Sequence, residues 1–433
     1  MNVFLHTFGC KANQYDTEVV RQRLEAAGCT IVAGAEQADA AVVNSCAVTH
    51  VGEAKLRAMV RRLARLRPGI RTVVMGCAAA LDDGVIAALP SVTAVVGGSD
   101  AEAVAREVAP QSRRSASGTS LLGGFSGSSR AWLKVQDGCD EHCTFCATTL
   151  ARGDNRSREP REIVAEARLL ARRHAEIVLT GVHIGTYGRD REAGNRGDGG
   201  RRDGVTLGRL VQRLVDEVPD VRFRLSSVEA TEVCDDLERL MVETPDRLAP
   251  HLHAPLQSGS DRVLKRMGRH WYTAGSYRER LERLAERVGE GGGALGLGAD
   301  IIVGFPGEGE ADHRATVALV EALPFTYLHV FPYSPRAGTA APRLGAAASP
   351  EAARERSAEL RALAARKAAA HRATRAGGRA DLVLETRRGG WQDALTEDYV
   401  AVQVPADADW VLGRARLDAR LALSGSRLVG AAA

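Results

Sequence analysis

Features that would place the chain in or across a membrane are missing from the sequence. No run of about 18 apolar residues occurs, which argues against a membrane span. Residues 1–6 show no basic stretch leading into a long apolar one, so no signal peptide is expected. Aromatic residues are scarce, at 4% of 433 residues, which we attribute to compositional bias. We therefore expect a cytoplasmic protein with no membrane partner.

The chain also lacks a strong excess of either charge. It has 58 Lys and Arg against 54 Asp and Glu, a formal net charge of +4. This balance permits a polyanionic partner without requiring one. With 45% hydrophobic and 26% charged residues the composition is that of a globular protein, and 433 residues predict two or three domains.

The first part of the chain, residues 1–108, alternates short apolar runs with amphipathic stretches. The runs at 3–7, 40–43 and 72–75 read as buried parallel strands, and 16–27 and 51–66 read as helices. This βα pattern predicts a doubly wound parallel sheet. Residues 109–129, rich in Ser and Gly, show no periodicity and are predicted to be a linker.

From residue 130 to 345 the strand–helix alternation resumes. Helical patterns such as 160–174, 207–217 and 277–288 lie between six candidate strands, at 132–136, 176–180, 221–226, 251–255, 298–303 and 327–331. Six such units predict an α/β barrel of the (βα)6 type, partial or closed. The Gly/Arg-rich stretch 190–204 reads as a surface insertion.

The last part divides into a basic helix and a strand-rich end. Residues 346–379 are predicted to form a connecting helix; within 351–380, eight Lys and Arg face three Glu, a net charge of +5. Residues 380–433 contain strand-like runs at 380–384, 399–404 and 410–418, which predict a small β-barrel.

The most specific local motif is a C-x3-C-x2-C triplet, Cys139, Cys143 and Cys146, directly after an apolar strand. Three thiolates on one tight loop can hold three irons of a [4Fe–4S] cube and leave the fourth iron open to a ligand. A structural zinc site with His142 as fourth ligand, or inert cysteines, is the alternative interpretation.

Cys10, Cys46 and Cys77 form a second set, far apart in sequence but alike in context. Each follows an apolar strand-like run, and the carboxyl ends of strands in an open parallel sheet meet in one crevice. The set therefore predicts a second three-thiolate site, although lone cysteines after strands are often plain core residues. Cys29 and Cys234 share no such pattern and are assigned no function.

These motifs resemble the radical S-adenosylmethionine methylthiotransferase family. Residues 139–146 match the cysteine motif of the superfamily, while residues 9–18, 44–48 and 75–77 resemble the methylthiotransferase branch. Further likeness lies in 152–158, 225–229, 251–260 and 300–308, so it extends over nearly the whole chain. The resemblance implies an N-terminal cluster domain, a radical barrel, and a C-terminal RNA-binding domain of the TRAM type.

The resemblance also implies the cofactors and partners. Two [4Fe–4S] clusters and S-adenosylmethionine would serve a tRNA substrate, with a low-potential electron donor supplying the reducing electron. Strand ends are the candidate cofactor contacts: Thr180, Gly181, Ser226, Ser227, Val303 and Gly304, for which ordinary turn chemistry is the alternative. Three arginines beside the cysteine loop are candidate RNA contacts: Arg152, Arg156 and Arg158.

Three substrates are known in the branch, and the opening residues 7–14 look most like the group that acts on threonylcarbamoyladenosine beside the tRNA anticodon. Isopentenyladenosine in tRNA and an aspartate of a ribosomal protein are the alternatives. From a different class, a non-catalytic iron–sulfur RNA-binding protein would need the clusters and a basic surface but no cosubstrate site.

Overall fold

The computed structural model describes residues 1–47, 49–110, 121–193, 205–406 and 416–432. Residues 111–120 of the predicted linker, the end of the predicted insertion and the start of the predicted strand at 410 lie outside these residues. In the described part, no helix combines the length and the apolar character needed to cross a bilayer.

The N-terminal part is a five-stranded parallel sheet in the order β2-β1-β3-β4-β5. Helix α2 packs on one face, whereas α1 and α4 pack on the other. The strand order changes direction between β1 and β3, which makes a crevice at the carboxyl ends of these strands. The elements are β1 Asn2–Thr7, α1 Lys11–Ala26, β2 Thr30–Val32, β3 Ala40–Ser45, α2 His50–Leu66, β4 Arg71–Gly76, α3 Cys77–Ala80, β5 Val92–Gly97 and α4 Ala101–Val108.

The central part has six parallel strands that follow one another in chain order. Strands β6, β9 and β10 form one sheet and β11, β12 and β13 another, and bridges Phe223–Leu248 and Ser227–His253 connect the two. Between β13 and β6 the described residues show no pairing, so the barrel is open. The elements are β6 Arg130–Lys134, β7 Gln136–Asp137, α5 Thr148–Arg152, β8 Arg156–Ser157, α6 Pro160–Ala171, β9 Glu176–Thr180, α7 Arg189–Ala193, α8 Leu207–Glu217, β10 Arg222–Leu225, α9 Asp235–Glu243, β11 His251–His253, α10 Asp261–Arg266, α11 Ala274–Glu290, β12 Gly296–Val303, α12 Glu310–Ala322 and β13 Tyr327–Pro332.

The C-terminal part is a long helix followed by a five-stranded β-sheet. Helix α13 buries Leu360 and Leu363 against the central core. The strand pairings run in the closed order β14-β15-β16-β18-β17, with a short parallel pair between β16 and β18. The elements are α13 Pro350–Arg375, β14 Arg379–Arg388, β15 Trp391–Leu395, β16 Ala401–Pro405, β17 Arg416–Ser424 and β18 Arg427–Ala432.

A buried ion cluster connects the C-terminal sheet to the barrel. Glu176 accepts hydrogen bonds from Arg222 and Arg224, and all three side chains are fully buried. Arg222 also reaches Asp381 at 3.0 Å, and Arg224 donates to the backbone oxygen of Thr396 at 3.0 Å. Breaking such a buried pair costs about 3–5 kcal/mol, so the C-terminal sheet is an integral part of the molecule.

The predicted α/β architecture is confirmed, with individual differences. The strand at 176–180 and the helix at 207–217 have the expected bounds, but the helix expected at 16–27 begins at Lys11. Its first turns carry polar side chains, Asn13 and Asp16, which are buried in a hydrogen-bond network rather than exposed. Strands β2, β5, β8, β15 and β18 were not anticipated. The domain boundaries stay a prediction.

Candidate functional site

The three N-terminal cysteines lie at the carboxyl ends of neighbouring strands. Cys10 follows β1, Cys46 follows β3, and Cys77 follows β4. Two glycines with positive φ permit their close approach: a Cβ on Gly9 would lie 2.9 Å from the Cβ of Cys46, and one on Gly76 would lie 2.5 Å from a backbone oxygen. The predicted convergence of three separate loops is therefore present.

Asn13 holds two of these loops together. Its amide nitrogen donates to the backbone oxygens of Phe8 at 3.0 Å and Ser45 at 2.9 Å, the residues near Cys10 and Cys46. Its side-chain oxygen lies 3.7 Å from the sulfur of Cys10. The buried side-chain amide of Asn13 thus fixes the loops after β1 and β3, between which the strand order changes direction.

The barrel cysteines lie on a loop that is anchored from outside. Thr144, between the second and third cysteines, donates its backbone N–H to Met267 and its hydroxyl to Arg266, and its backbone oxygen accepts from Ala341. Cys139 donates its N–H to Gly153 at 3.0 Å. The loop is therefore anchored at its first cysteine and in its middle by residues outside it.

Cationic side chains contact the barrel thiols. Arg269 lies 3.7 Å from the sulfur of Cys143 and is paired with Glu229, and His183 lies 3.6 Å from the sulfur of Cys139. Burial raises the pKa of Cys143 to about 12, so iron must displace its proton. Burial opposes protonation of His183, but its hydrogen bonds to Cys139 and to a carboxylate outweigh this and raise its pKa to about 10.

Arg152 joins the two cysteine sets. It ends α5, the short helix that begins two residues after Cys146, and its Nε donates to the sulfur of Cys77 at 3.2 Å. Its other nitrogens donate to Asp137 at 2.9 Å, Asn13 at 2.6 Å and Asp16 at 3.0 Å. Burial raises the pKa of Cys77, and Arg152 partly opposes this rise.

The predicted RNA contact of Arg152 must therefore be corrected. Its side chain is buried and its donors are occupied within the protein. Arg158 is also internal, since it donates to Tyr15, to a backbone oxygen and to Glu166 at 2.8 Å. Of the three predicted arginines, Arg156 alone is exposed, with bonds to backbone oxygens.

One cavity of about 210 Å³ lies between the two cysteine sets. Cys77 lines it on the N-terminal side and Cys146 on the barrel side. Most of the remaining wall is apolar, and its hydrogen-bonding side chains include Gln257 and Asp300. The full set of lining residues is Ala47, Thr49, Cys77, Phe145, Cys146, Ala147, Thr148, Ala151, Gln257, Asp300, Ile302, Phe331, Pro332, Tyr333, Ser334 and Arg336.

Asp300 is held in its charged form by two histidines. The carboxylate oxygen lies 3.1 Å from His253 and 3.1 Å from His329. Burial alone would raise the pKa of Asp300, but these contacts outweigh it and hold the pKa well below the usual range. His253 in turn contacts the hydroxyl of Tyr327 at 3.0 Å. The cavity therefore contains one fixed anionic acceptor.

The spacing of the cysteine sulfurs tests the two metal interpretations. Among the described residues, the sulfurs of neither set all lie within 4.8 Å of one another. Three thiolates on one tetrahedral zinc, at about 2.3 Å each, would be about 3.8 Å apart. The predicted fourth ligand, His142, is exposed. At least one pair of sulfurs in each set is thus too far apart for a shared zinc, whereas each thiolate of a cluster binds a different iron.

The predicted cofactor contacts lie at the expected strand ends but outside the walls of this cavity. A Cβ on Gly181 would lie 2.6 Å from the backbone oxygen of Gln136, so protein packing requires this glycine. Gly304 donates its N–H to Glu308 and faces Ala353 of α13. Thr180, Ser226 and Val303 are buried, whereas Ser227 is exposed. Their role as contacts of S-adenosylmethionine stays a prediction.

Several residues at the site were not anticipated from sequence. Gln257 and Asp300 belong to stretches that carry the family resemblance, which is the signal that could have identified them. Arg269 and His183 lie outside those stretches and reach the cysteines through tertiary packing alone.

Comparison with protein families agrees with this geometry. Residues 2–97 match the model of the uncharacterized protein family UPF0004, and residues 133–320 match that of the radical SAM superfamily. A solved methyltransferase, TsrM from Kitasatospora setae with cobalamin and a [4Fe–4S] cluster bound, superposes with a TM-score of 0.55 at 14% identity, over 76% of this chain and 72% of that chain. The fold and the cysteine loop together define a radical S-adenosylmethionine enzyme.

Curated relatives narrow this class. The threonylcarbamoyladenosine tRNA methylthiotransferase MtaB of Bacillus subtilis is 37% identical over 79% of this chain and 75% of its own length; that of Thermotoga maritima is 35% identical over 79% and 77%. A tRNA-2-methylthio-N(6)-dimethylallyladenosine synthase of Syntrophobacter fumaroxidans is 34% identical over 77% and 74%. The chain belongs to the radical S-adenosylmethionine methylthiotransferase family. It is a transferase whose cofactors are two [4Fe–4S] clusters and S-adenosylmethionine.

Proposed function

We propose that the protein converts threonylcarbamoyladenosine in tRNA to its 2-methylthio derivative. One cluster is held by Cys139, Cys143 and Cys146, and the other by Cys10, Cys46 and Cys77. The observation that carries this proposal is that one cavity is lined by a cysteine of each set, Cys77 and Cys146. A target base placed there is within reach of both sites.

The clusters supply low-potential electrons and an open iron for cofactor or sulfur. The protein's residues position the reactants and exclude water. Apolar side chains of the cavity, among them Phe145 and Ile302, keep the reacting groups dry. The strand-end residues Thr180, Gly181, Ser226, Ser227, Val303 and Gly304 are proposed to contact S-adenosylmethionine.

The substrate assignment is supported by the relatives and by the polarity of the cavity. Five of the relatives, with 32–37% identity, are threonylcarbamoyladenosine enzymes. A threonylcarbamoyl group carries several hydrogen-bonding atoms, which Gln257 and Asp300 can engage; an isopentenyl group offers none. Adenosine with the isopentenyl group is the second candidate, because a relative named for it has 34% identity.

The C-terminal sheet, residues 380–433, is proposed to act as a TRAM-like RNA-binding domain. Arg387 and Arg388 of β14 are exposed, and Arg388 is paired in register with the exposed Trp391 of β15. Arginines beside an exposed aromatic ring are suited to phosphates and an unstacked base. Arg156 adds a cation near the cysteine loop.

Two experiments test the function. Mass spectrometry of tRNA nucleosides from cells lacking the gene should show unconverted threonylcarbamoyladenosine. Accumulated isopentenyladenosine instead would reassign the substrate. After anaerobic reconstitution, dithionite and S-adenosylmethionine should yield 5′-deoxyadenosine; its absence from a cluster-replete sample would favour a non-catalytic RNA-binding protein. The proposal also requires a low-potential electron donor and a cytoplasmic location, where tRNA is modified.

A further inference from the structure

Helix α2 carries a broad basic face. Its buried side, Leu56, Val60 and Leu63, packs on the N-terminal sheet. The opposite side carries five cations: Lys55, Arg57, Arg61, Arg62 and Arg65. All are exposed except Arg57, which is half-buried. At 1.5 Å per residue the five cations extend over about 15 Å of helix.

The part of the protein that the structure describes does not neutralise these five cations. Within the described residues none of them forms a salt bridge or a side-chain hydrogen bond, although the helix contains one acidic residue, Glu53. Glu53 itself is paired with Arg336 at the start of the helix. Unpaired cations on one face repel each other, so the face favours a bound anion.

In helix α13, in contrast, most of the cationic side chains bind acceptors of the protein itself. Arg356 pairs with Glu308, Arg366 with Glu321, Arg375 with Glu397, and Arg354 with Glu351 of the same helix. Arg379, at the start of β14, pairs with Asp418. Arg361 and Lys367 donate to backbone oxygens. The net charge of +5 in this region is therefore largely balanced by acidic residues from other elements, and α13 is the weaker candidate for an anion surface.

The first turn of α2 lies at the cavity between the two cysteine sets. Thr49, which caps the helix, lines this cavity. The backbone N–H of His50 donates to Ser334 at 3.3 Å, and Arg336 contacts Glu53; both Ser334 and Arg336 are cavity-lining residues. The basic face therefore begins about 9 Å along the helix from the cavity-lining Thr49 and continues away from the cavity.

We infer that the basic face of α2 binds phosphates of the tRNA whose target base occupies the cavity. The inference rests on the proposed function for the identity of the RNA. Phosphate contacts fix the position of the RNA without reading its sequence, and the base is identified in the cavity. Because the loop that carries the base must reach the cavity beside Thr49, the backbone flanking that base is the stretch nearest the cations.

The test is filter binding of tRNA carrying threonylcarbamoyladenosine to the two-cluster holoenzyme, across a salt series. The variant replaces Lys55, Arg61, Arg62 and Arg65 with Gln. Removing four phosphate contacts should weaken binding at least tenfold at low salt and reduce the slope of log affinity against log salt by about 3. Iron content and thermal unfolding verify that the variant is folded; if it is not, Arg61→Gln with Arg65→Gln should give about half the change in slope.

A matched control removes the same charge elsewhere. Arg239, Arg278, Arg283 and Arg287 contact carboxylates of α9 and α11 and line no part of the cavity. Their replacement by Gln should leave the slope nearly unchanged. Equal effects in both variants, or an unchanged slope in the α2 variant, would overturn the inference. Loss of binding to anionic phosphatidylserine vesicles, with tRNA affinity unchanged, would assign the face to a membrane and overturn it too.

The binding test of the basic face of α2 gives a different result from the failure of the proposed function. If wild-type protein binds this tRNA through α2 but produces no methylthio nucleoside, the proposed function is wrong and the inference about the basic face of α2 is supported. If turnover is observed but the α2 variant binds as tightly as wild type, the inference about the basic face of α2 is wrong and the proposed function is unaffected.

Discussion

The two cysteine sets reach a common cavity by different routes. In the barrel, Cys139, Cys143 and Cys146 share one loop, which backbone hydrogen bonds around Thr144 hold in place. In the N-terminal sheet, Cys10, Cys46 and Cys77 come from three strand ends, and Asn13 and Arg152 hold them together. A local set depends on the conformation of its own loop, whereas a dispersed set depends on the packing of a whole sheet. The dispersed set should therefore respond more strongly to changes in its surroundings.

The largest expected effect comes from removing the barrel set. Replacing Cys139, Cys143 and Cys146 with Ala should abolish cleavage of S-adenosylmethionine and leave roughly half the iron, about four atoms per chain, because the N-terminal set is untouched. Iron analysis and chromatography of 5′-deoxyadenosine provide the two readouts. Full iron retention would show that these cysteines hold no cluster.

The second-largest effect is expected from changes to the N-terminal cysteines, which should stop methylthiolation without stopping cleavage of S-adenosylmethionine. Changing Cys10, Cys46 or Cys77 to Ala should reduce the methylthio nucleoside to background but leave 5′-deoxyadenosine measurable, since the barrel set stays intact. Both products are quantified in one reaction by mass spectrometry. If 5′-deoxyadenosine disappeared equally in all three folded variants, the two sets would not have separate tasks.

A smaller effect is expected at Arg152, which contacts the N-terminal set from the barrel. Arg152→Lys keeps a positive charge for Asp16 and Asp137 but removes the Nε–H that reaches Cys77. Groups that orient metal ligands typically contribute about 10–100-fold to activity or metal affinity. Methylthiolation should fall by that amount, and the midpoint potential of the N-terminal cluster should become more negative, because a hydrogen bond to sulfur favours the reduced state.

The potential is measured in protein that also lacks the barrel cysteines, so that one cluster contributes. The exposed Arg172, changed to Gln, is the control. If the protein that lacks only the barrel cysteines also lost its remaining iron, the assignment of Cys10, Cys46 and Cys77 as ligands would be contradicted. If the potential did not change in Arg152→Lys, only the role of Arg152 would be contradicted.

The smallest effect is expected at Arg269, the matching contact of the barrel set. Its nitrogen lies 3.7 Å from the sulfur of Cys143, compared with 3.2 Å between Arg152 and Cys77, so its hydrogen bond is the weaker of the two. Arg269→Lys should therefore shift the potential of the barrel cluster less than Arg152→Lys shifts that of the other. Redox titration followed by electron paramagnetic resonance compares them directly; a larger shift at Arg269 would reverse the order.

Much of the fold could be predicted from local patterns. The strands before the cysteines have the expected places because continuous apolar runs mark buried parallel strands. The start of α1 was misplaced because its first turns carry polar residues that other elements cover. Strand β2 was missed because it has only three residues, and strand β15 because Trp391 and Gln392 give it no clear alternation.

The candidate site was predictable in its ligands but not in its surroundings. The sequence alone shows a cysteine triplet within eight residues and a cysteine after each of three predicted strands. The guanidinium of Arg152 was assigned to RNA because it lies in an arginine-rich loop, yet it contacts Asn13 and Asp16, more than 130 residues earlier in the chain.

Residue identity and periodicity along the chain were enough to predict the two cysteine sets as ligands and to identify the parallel α/β architecture and the family. Which charges are available to a partner, in contrast, depends on how the chain folds. Arg356 and Arg375 of α13 are neutralised by Glu308 and Glu397. The cations of α2 meet no carboxylate in the described residues, and all except the half-buried Arg57 are exposed. A charge count along the chain cannot distinguish these helices, since neutralisation depends on distance in space.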